Sequence, residues 1–270
     1  MTSEFALATA VTAAGESPDG ARFSARVHDG WDIAGNANGG YLMAIAARAM
    51  QAALGRPTLT LTAHFLAPGS PGPCEVVVAP VRSGRRLATA TASLRQGERE
   101  LLRLLGTFGS PDDGGLVYAD GAPPELVPYD EAVVSKPPFE EGLGPHFSSR
   151  VRTRIHPIDA GFRSGAPTGR AEIRGWFGFA DDGPIDELGL VFACDAFAPP
   201  VFNTGLPAGW VPTVELTVHV RAVPVPGLLR CVFRSRFVHG GLLEEDAELW
   251  DADGVLCAQS RQLALLPRPA

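Results

Sequence analysis

Two stretches of the chain alternate apolar and polar residues with the same punctuation. In PTLTLTAHF (residues 57–65), Leu59, Leu61, Ala63 and Phe65 alternate with Thr58, Thr60, Thr62 and His64. In PTVELTVHV (212–220), Val214, Leu216, Val218 and Val220 alternate with Thr213, Glu215, Thr217 and His219. A period of two puts the two sets on opposite faces of a strand. The stretches share Pro, Thr, Leu, Thr and His in register at an offset of 212 − 57 = 155 residues. The offset continues without a gap: Ala67 meets Ala222, Gly72 meets Gly227, Leu87 meets Leu242, Leu94 meets Leu249 and Leu101 meets Leu256. The chain reads as a duplicated domain.

The segments that follow each copy, CEVVVAPVRSGRRLATATASLRQGERELLRLLGTF and RCVFRSRFVHGGLLEEDAELWDADGVLCAQSRQLALL, predict antiparallel meanders with turns at SGRR, QGE, HGG and DADG. Ahead of the first copy, NANGGYLMAIAARAM (36–50) carries apolar residues at Leu42, Ile45, Ala46 and Ala49, continuing to Ala53 and Leu54. This is helical spacing. Asn36 or Asn38 can cap the helix, and Gly55 with Pro57 ends it. Only Arg48 and Gln51 interrupt its apolar surface, so the helix needs cover on most sides, which a curved antiparallel sheet would supply. AEIRGWFGFA (171–180) predicts the first strand of the second unit, matching ARFSARVHD in the first, and FSSRVRTRIHP alternates like a further strand. Residues 109–145, rich in Pro, Gly and acids, predict an extended connector. The expected organisation is therefore a unit over 1–110, a connector over 111–146 and a second unit over 147–270.

Composition narrows the function. A net charge of −7 leaves no basic stripe for nucleic acid. No run approaches the length of a membrane span, and the first twenty residues lack the pattern of a signal peptide, so a cytoplasmic protein is expected. The four cysteines have no metal-like spacing and read as reduced core thiols. The six histidines show no ligand spacing either, so neither a metal nor another cofactor is expected. A Gly-Gly pair opening a helix can cradle a phosphate, but the meander that follows is not the parallel βαβ context of a dinucleotide fold.

A helix wrapped by an antiparallel sheet and present twice resembles the double hotdog fold, of α+β class, with a long central helix in each unit. The order NGGYLMAIAARAM, TAHFLAPG, RSGRRLATATASL, then FACDAF, PTVELTVHV and DADGVLCAQSRQLAL resembles the acyl-CoA thioesterase family of the medium-chain, type II kind. The resemblance covers most of the chain apart from the connector. It implies an acyl-CoA substrate, with coenzyme A entering only as part of it, and a water that attacks the thioester. It implies an Asp at the start of the second-unit helix, a hydroxyl residue on the next strand and a Gln on the last strand, matched here by Asp195, Thr213 and Gln262. An Asp-His pair that commonly follows the hydroxyl residue is replaced by Glu215 and Leu216. Hotdog units commonly pair further through their sheets, so a homo-oligomer is also implied.

Applied at these positions, the offset of 155 sets Gly40 against Asp195, Thr107 against Gln262 and Thr58 against Thr213. One retained and one degenerate site would leave that signature. The Asn38-Gly39-Gly40 turn then offers a rest for the thioester carbonyl on the Gly40 or Tyr41 amide, because the first amides of a helix lack intrahelical partners. That turn could face Asp195 of the other unit. Arg85 and Arg86, at a hairpin turn, could meet coenzyme A phosphates. The plainer readings are a helix cap for Asp195, a solvent-facing Gln262, ordinary strand composition for Thr213, and structural roles for the repeated His64 and His219. Asp32, Glu215 and the Glu244-Glu245-Asp246 run read as solvated faces. Two other functions stay open: a hotdog enoyl-CoA hydratase, which would want an Asp–His pair, and a non-catalytic acyl-CoA-binding module.

Overall fold

A computed structural model of the chain describes residues 2–110, 118–135, 145–206 and 209–266. The first unit carries helix α1 (Glu4–Ala8) and strands β1 (Val11–Ser17) and β2 (Gly20–Val27), then a small hairpin of β3 (Asp32–Ile33) and β4 (Asn36–Ala37). Helix α2 (Gly39–Leu54) follows, and then β5 (Thr58–Phe65), β6 (Gly72–Ser83), β7 (Leu87–Gln96) and β8 (Arg99–Gly109). Beyond it lie β9 (Val133–Val134), β10 (Arg154–Ile155), β11 (Glu172–Phe177), helix α3 (Glu187–Ala193) and β12 (Thr213–Val220). The chain finishes with β13 (Leu229–Arg234), β14 (Val238–His239), β15 (Leu242–Trp250) and β16 (Leu256–Leu265).

Apart from the β3–β4 hairpin and β14, which pairs with β15, the described strands form one antiparallel sheet in the order β1-β2-β6-β7-β8-β5-β12-β16-β15-β13-β11-β10-β9. Read outward from its centre the order is the same in both directions: β5, β8, β7, β6, β2 on one side and β12, β16, β15, β13, β11 on the other. The duplication is thus a pseudo-two-fold symmetry. Its axis passes between Thr62 and Thr217, which are register partners across β5 and β12 and are 155 residues apart. Their hydroxyls share a hydrogen bond of 2.9 Å.

α2 sits inside this curved sheet. Every residue from Gly40 to Ala47 is buried, along with Ala49 and Met50, as a helix apolar on nearly all faces requires. Asn38 is its N-cap, its side chain accepting from the Tyr41 amide, and Gly55 closes it in the left-handed conformation at φ 62°. The second unit departs from the expected long helix. Between β11 and β12 the chain forms α3, only seven residues long, and a 3₁₀ turn at Pro200–Thr204. Pro199 and Pro200, six and seven residues past the end of α3, keep an α-helix from running on through this segment, since a proline lacks the N–H that a continuing helix needs and restricts the residue before it.

Of the connector expected over 111–146, residues 111–117 and 136–144 lie outside the described residues. The part between them is irregular until Val133–Val134, which forms β9 against β10. FSSRVRTRIHP is not one strand: His146–Ser149 is a 3₁₀ turn and only Arg154–Ile155 joins the sheet. The four cysteines are free and buried. No described helix is long and apolar enough to cross a membrane.

Candidate active site

The end of α3 abuts the start of α2, and the contact is close because α2 opens with two glycines. A Cβ on Gly40 would lie 2.9 Å from Asp195 Cβ, 3.1 Å from Phe192 Cα and 3.1 Å from the Val191 carbonyl oxygen. A Cβ on Gly39 would lie 3.1 Å from Asp195 Oδ2. With no side chains there, Asp195 reaches the N-terminus of α2. Its Oδ2 accepts the Gly40 amide at 2.8 Å and Asn38 Nδ2 at 2.9 Å, and Asn38 Nδ2 also donates to the Asp195 carbonyl at 2.9 Å. Asn38 thus caps α2 with one end of its amide and holds Asp195 with the other. No hydrogen bond engages Asp195 Oδ1 among the described residues.

These contacts and the positive end of the helix favour the carboxylate, and burial opposes them. Burial wins, and the Asp195 carboxyl is pushed up from 3.8 to about 6 despite the Gly40, Asn38 and Gly39 donors. The side chain keeps partial exposure because it lines a cavity of about 580 Å³. Gln262, Thr213, Asn38 and Gly39 line the same cavity, with apolar walls that include Leu42, Phe65, Phe147, Phe197, Phe202 and Trp210. A mainly apolar cleft with a few convergent polar groups is the usual form of a small-molecule site.

The structure thus brings Asp195, Gln262, Thr213, Asn38 and Gly39 together. Thr213 opens β12 beside a register irregularity, half-buried, and Glu215 lies outside the cavity lining, accepting the Thr217 hydroxyl at 2.5 Å. Gln262 is buried on β16, and its Oε1 has no partner among the described residues.

Several expectations are corrected. Asp195 follows α3 instead of starting a helix, and it is not the counterpart of Gly40. α2 begins at residue 39 and α3 at 187, a separation of 187 − 39 = 148, so the offset of 155 fails in this segment. The two residues are bonded partners across the units. The counterpart of Gln262 also moves by one residue. Leu216 pairs with Gln262, and its counterpart Leu61 pairs with Gly106, not Thr107, because the DADG turn is one residue longer than QGE. A Cβ on Gly106 would meet Leu61 Cδ2 at 2.7 Å, so the first unit has no room for a matching side chain there.

The Gly40 and Tyr41 amides are not available to a thioester carbonyl, since Asp195 and Asn38 already accept from them. Neither residue lines the cavity. The Tyr41 hydroxyl instead donates to the Ala8 carbonyl and accepts from the His28 amide, tying α2 to the N-terminal segment. Arg85 and Arg86 lie outside the cavity lining, on the β6–β7 turn. That turn is held by Arg56, which donates to the Gly84 carbonyl just past the C-terminal end of α2. At 1.5 Å per residue the opposite end, where Asp195 sits, is roughly 20 Å away. The basic residues in the lining are Arg152, paired with Asp182, and Arg154, which donates to the carbonyls of Tyr129, Asp130 and Ala132. Asp32 is buried, bonded to the Gly35 amide and 2.7 Å from His146 Nδ1.

Glu245 was not expected at the site. Glu244 and Asp246 face outward, capping the Arg236 and Phe237 amides and pairing with Arg261. Glu245 between them is 7% exposed and lines the cavity. The alternation along β15 held the signal: Leu243, Glu245, Ala247 and Leu249 are the inward set.

Comparison with known proteins gives the family. Residues 27–109 match the acyl-CoA thioesterase N-terminal domain and residues 123–266 match the acyl-CoA thioesterase C-terminal domain. The chain belongs to the acyl-CoA thioesterase family and is a thioester hydrolase of double hotdog fold. It is 28% identical over 266 residues to an uncharacterized Mycobacterium tuberculosis protein, covering 91% of each chain. A Thermobifida fusca protein crystallised as a candidate thioesterase II superposes with a TM-score of 0.88 at 30% identity, over 99% of this chain and 98% of that one. A hot dog fold protein of unknown function from Alicyclobacillus acidocaldarius gives 0.86 at 22% identity over the full length of both, a likeness of fold.

Proposed function

We propose that the chain hydrolyses an acyl-CoA to free acid and coenzyme A at the cavity where the two units meet, with Asp195 as the base that activates water. The observation that carries this reading is the seating of the Asp195 carboxyl. Oδ2 is held by Gly40 and Asn38 of the other unit, while Oδ1 is left for a proton. A carboxyl poised near 6 is ionised at neutral pH yet basic enough to take a proton as water attacks. Gln262 and Thr213, on neighbouring strands, orient that water.

The water oxygen bonds to the thioester carbon, and its proton passes to Asp195. When the tetrahedral intermediate collapses the C–S bond breaks, and the departing thiolate takes the proton from Asp195. The apolar wall receives the acyl chain.

Thiol release across a series of acyl-CoA chain lengths tests the reading. Asp195→Asn is expected to stay folded and lose turnover by at least about 10³-fold, the upper part of the range for a general base. A folded variant with full activity would remove Asp195 from the mechanism. The enoyl-CoA hydratase reading finds no Asp–His pair in the cavity lining, since the Asp32–His146 pair lies outside it and no histidine lines the cavity among the described residues. Hydration of an enoyl-CoA, assayed beside thiol release, checks this directly.

A further inference from the structure

Asp195 and Asn38 take the Gly40 and Tyr41 amides, and Gln262 and Thr213 are assigned to the water, so none of these four groups serves the negative charge that forms on the thioester oxygen. Besides Thr153, the buried polar side chain of the cavity without an assignment is Glu245. It pairs directly with Gln262 across β15 and β16, and both point inward and line the cavity. Directly opposed residues on one face sit about 5 Å apart at Cβ, so a carbonyl within reach of one is within reach of the other. Glu245 Oε2 and Gln262 Oε1 are both buried without partners among the described residues. Glu245 makes no hydrogen bond or ion pair among the described residues, while the neighbouring cation Arg261 is turned outward onto Asp246.

We propose that Glu245 is a further catalytic residue of this hydrolysis, held as a neutral carboxylic acid whose O–H donates to the thioester carbonyl oxygen as it becomes an oxyanion. The proposal rests on the thioesterase reading above.

Two carboxyls share this wall, and one of them has taken the donors. Asp195 has the helix terminus and the Asn38 amide, whereas Glu245 has burial and like charges. The groups that act on it are Asp195, from the turn after α3, and Asp246, from its own strand; Cys194 beside Asp195 feels it in turn. Gln262, facing it from β16, is neutral. Burial first, then the Asp195 and Asp246 charges, raise the Glu245 carboxyl well above its ordinary value. Two carboxyls pushed apart in this way divide into a base and a donor. In the addition step the water proton goes to Asp195 and the carbonyl electron pair moves onto oxygen, which accepts the Glu245 O–H. Glu245 keeps its proton, so the step balances with no further reactant.

The test compares Glu245→Gln, which keeps an N–H donor of nearly the same shape, with Glu245→Met, which keeps length and burial but donates nothing. Both should melt no lower than wild type, since neither leaves a buried acid unpaired. Glu245→Met should lose about 10²-fold or more in kcat with KM little changed, the size of one oxyanion donor. Glu245→Gln should keep kcat within about tenfold and lose the alkaline limb of the pH profile, which follows from ionisation of Glu245. Difference infrared spectra of wild type against Glu245→Gln, without substrate, should show a protonated carboxyl at neutral pH. A folded Glu245→Met at wild-type rate, a Glu245→Gln as impaired as Glu245→Met, or an ionised Glu245 at neutral pH would each overturn the proposal. In the first case the wild-type enzyme still releases thiol and the thioesterase reading stands. A wild-type chain that releases none overturns that reading and takes this proposal with it.

Discussion

As the proposed base, Asp195 would couple stability to activity through one proton. Its carboxyl titrates near 3.8 when free and near 6 in the fold, so the folded state holds the proton more tightly. Between about pH 4 and 6 the folded chain therefore binds more protons than the unfolded one, and stability falls as pH rises through that window. The whole shift corresponds to at most about 3 kcal/mol, and less where the cavity admits solvent. Asp195→Asn removes the titration, and because Oδ2 accepts both bonds, the amide oxygen can serve Gly40 and Asn38 together. The variant is expected to be more stable than wild type by about 1 kcal/mol at pH 7, with the advantage gone below about pH 4. Denaturant midpoints at the two pH values measure this. For wild type the same proton is expected to set the acid limb of the activity profile: kcat/KM should rise through about pH 6, where Asp195 becomes ionised, and a flat profile from pH 4 to 8 would exclude it as the base.

At the scale of elements, the junction of α2 with the end of α3 governs the site. Glycine is a poor helix former, so Gly40→Ala would by propensity stabilise α2 by up to about 1 kcal/mol. The added Cβ meets the Val191 carbonyl and the Phe192 Cα, backbone that can yield only if α3 shifts and carries Asp195 with it. The expected outcome is a lower melting temperature and a loss of about 10²-fold in kcat, since an ångström of misplacement is worth that much. Wild-type values of both would show that the junction yields freely. This junction is also where sequence reading stopped. The strands were legible because alternation is local, and α2 was legible from its spacing, its Asn38 cap and Gly55. That the Asn38-Gly39-Gly40 turn faces Asp195 of the other unit was also legible, but the bond from the Gly40 amide to that carboxyl was not, because the repeat offset set the two as counterparts while a shortened helix and two prolines altered the spacing. Glu245 was legible as a position, inward by alternation between Leu243 and Ala247, and was read as solvated because its neighbours Glu244 and Asp246 are. Arg85 and Arg86 show the opposite failure. Their chemistry suited a phosphate, and only the fold puts them at the far end of α2.

At the scale of the molecule, the site belongs to neither half. Asn38, Gly39 and Gly40 come from the first unit, and Asp195, Thr213, Glu245 and Gln262 from the second. What fixes one set against the other is the ladder between β5 and β12, from His64–Glu215 through Thr62–Thr217 to Thr60–His219, together with the packing of α2 on α3. These contacts run on both sides of the pseudo-two-fold axis and need no covalent continuity between the units. The chain divided after residue 110 and co-expressed as two pieces should therefore reassemble into one complex with thiol-releasing activity. The second piece alone, even when soluble, should have none, because Asp195 would lose the Gly40 and Asn38 donors and the cavity would lose the wall formed by Leu42 and Phe65. Size-exclusion chromatography with a thiol-release assay on each piece and on the mixture reads both outcomes. Activity in the second piece alone would show that the first unit is a structural partner and that its glycine turn is dispensable to the base. Activity only in the reconstituted pair would place the reaction at the junction of the two units, with one unit supplying the carboxyl and the other the helix end that holds it.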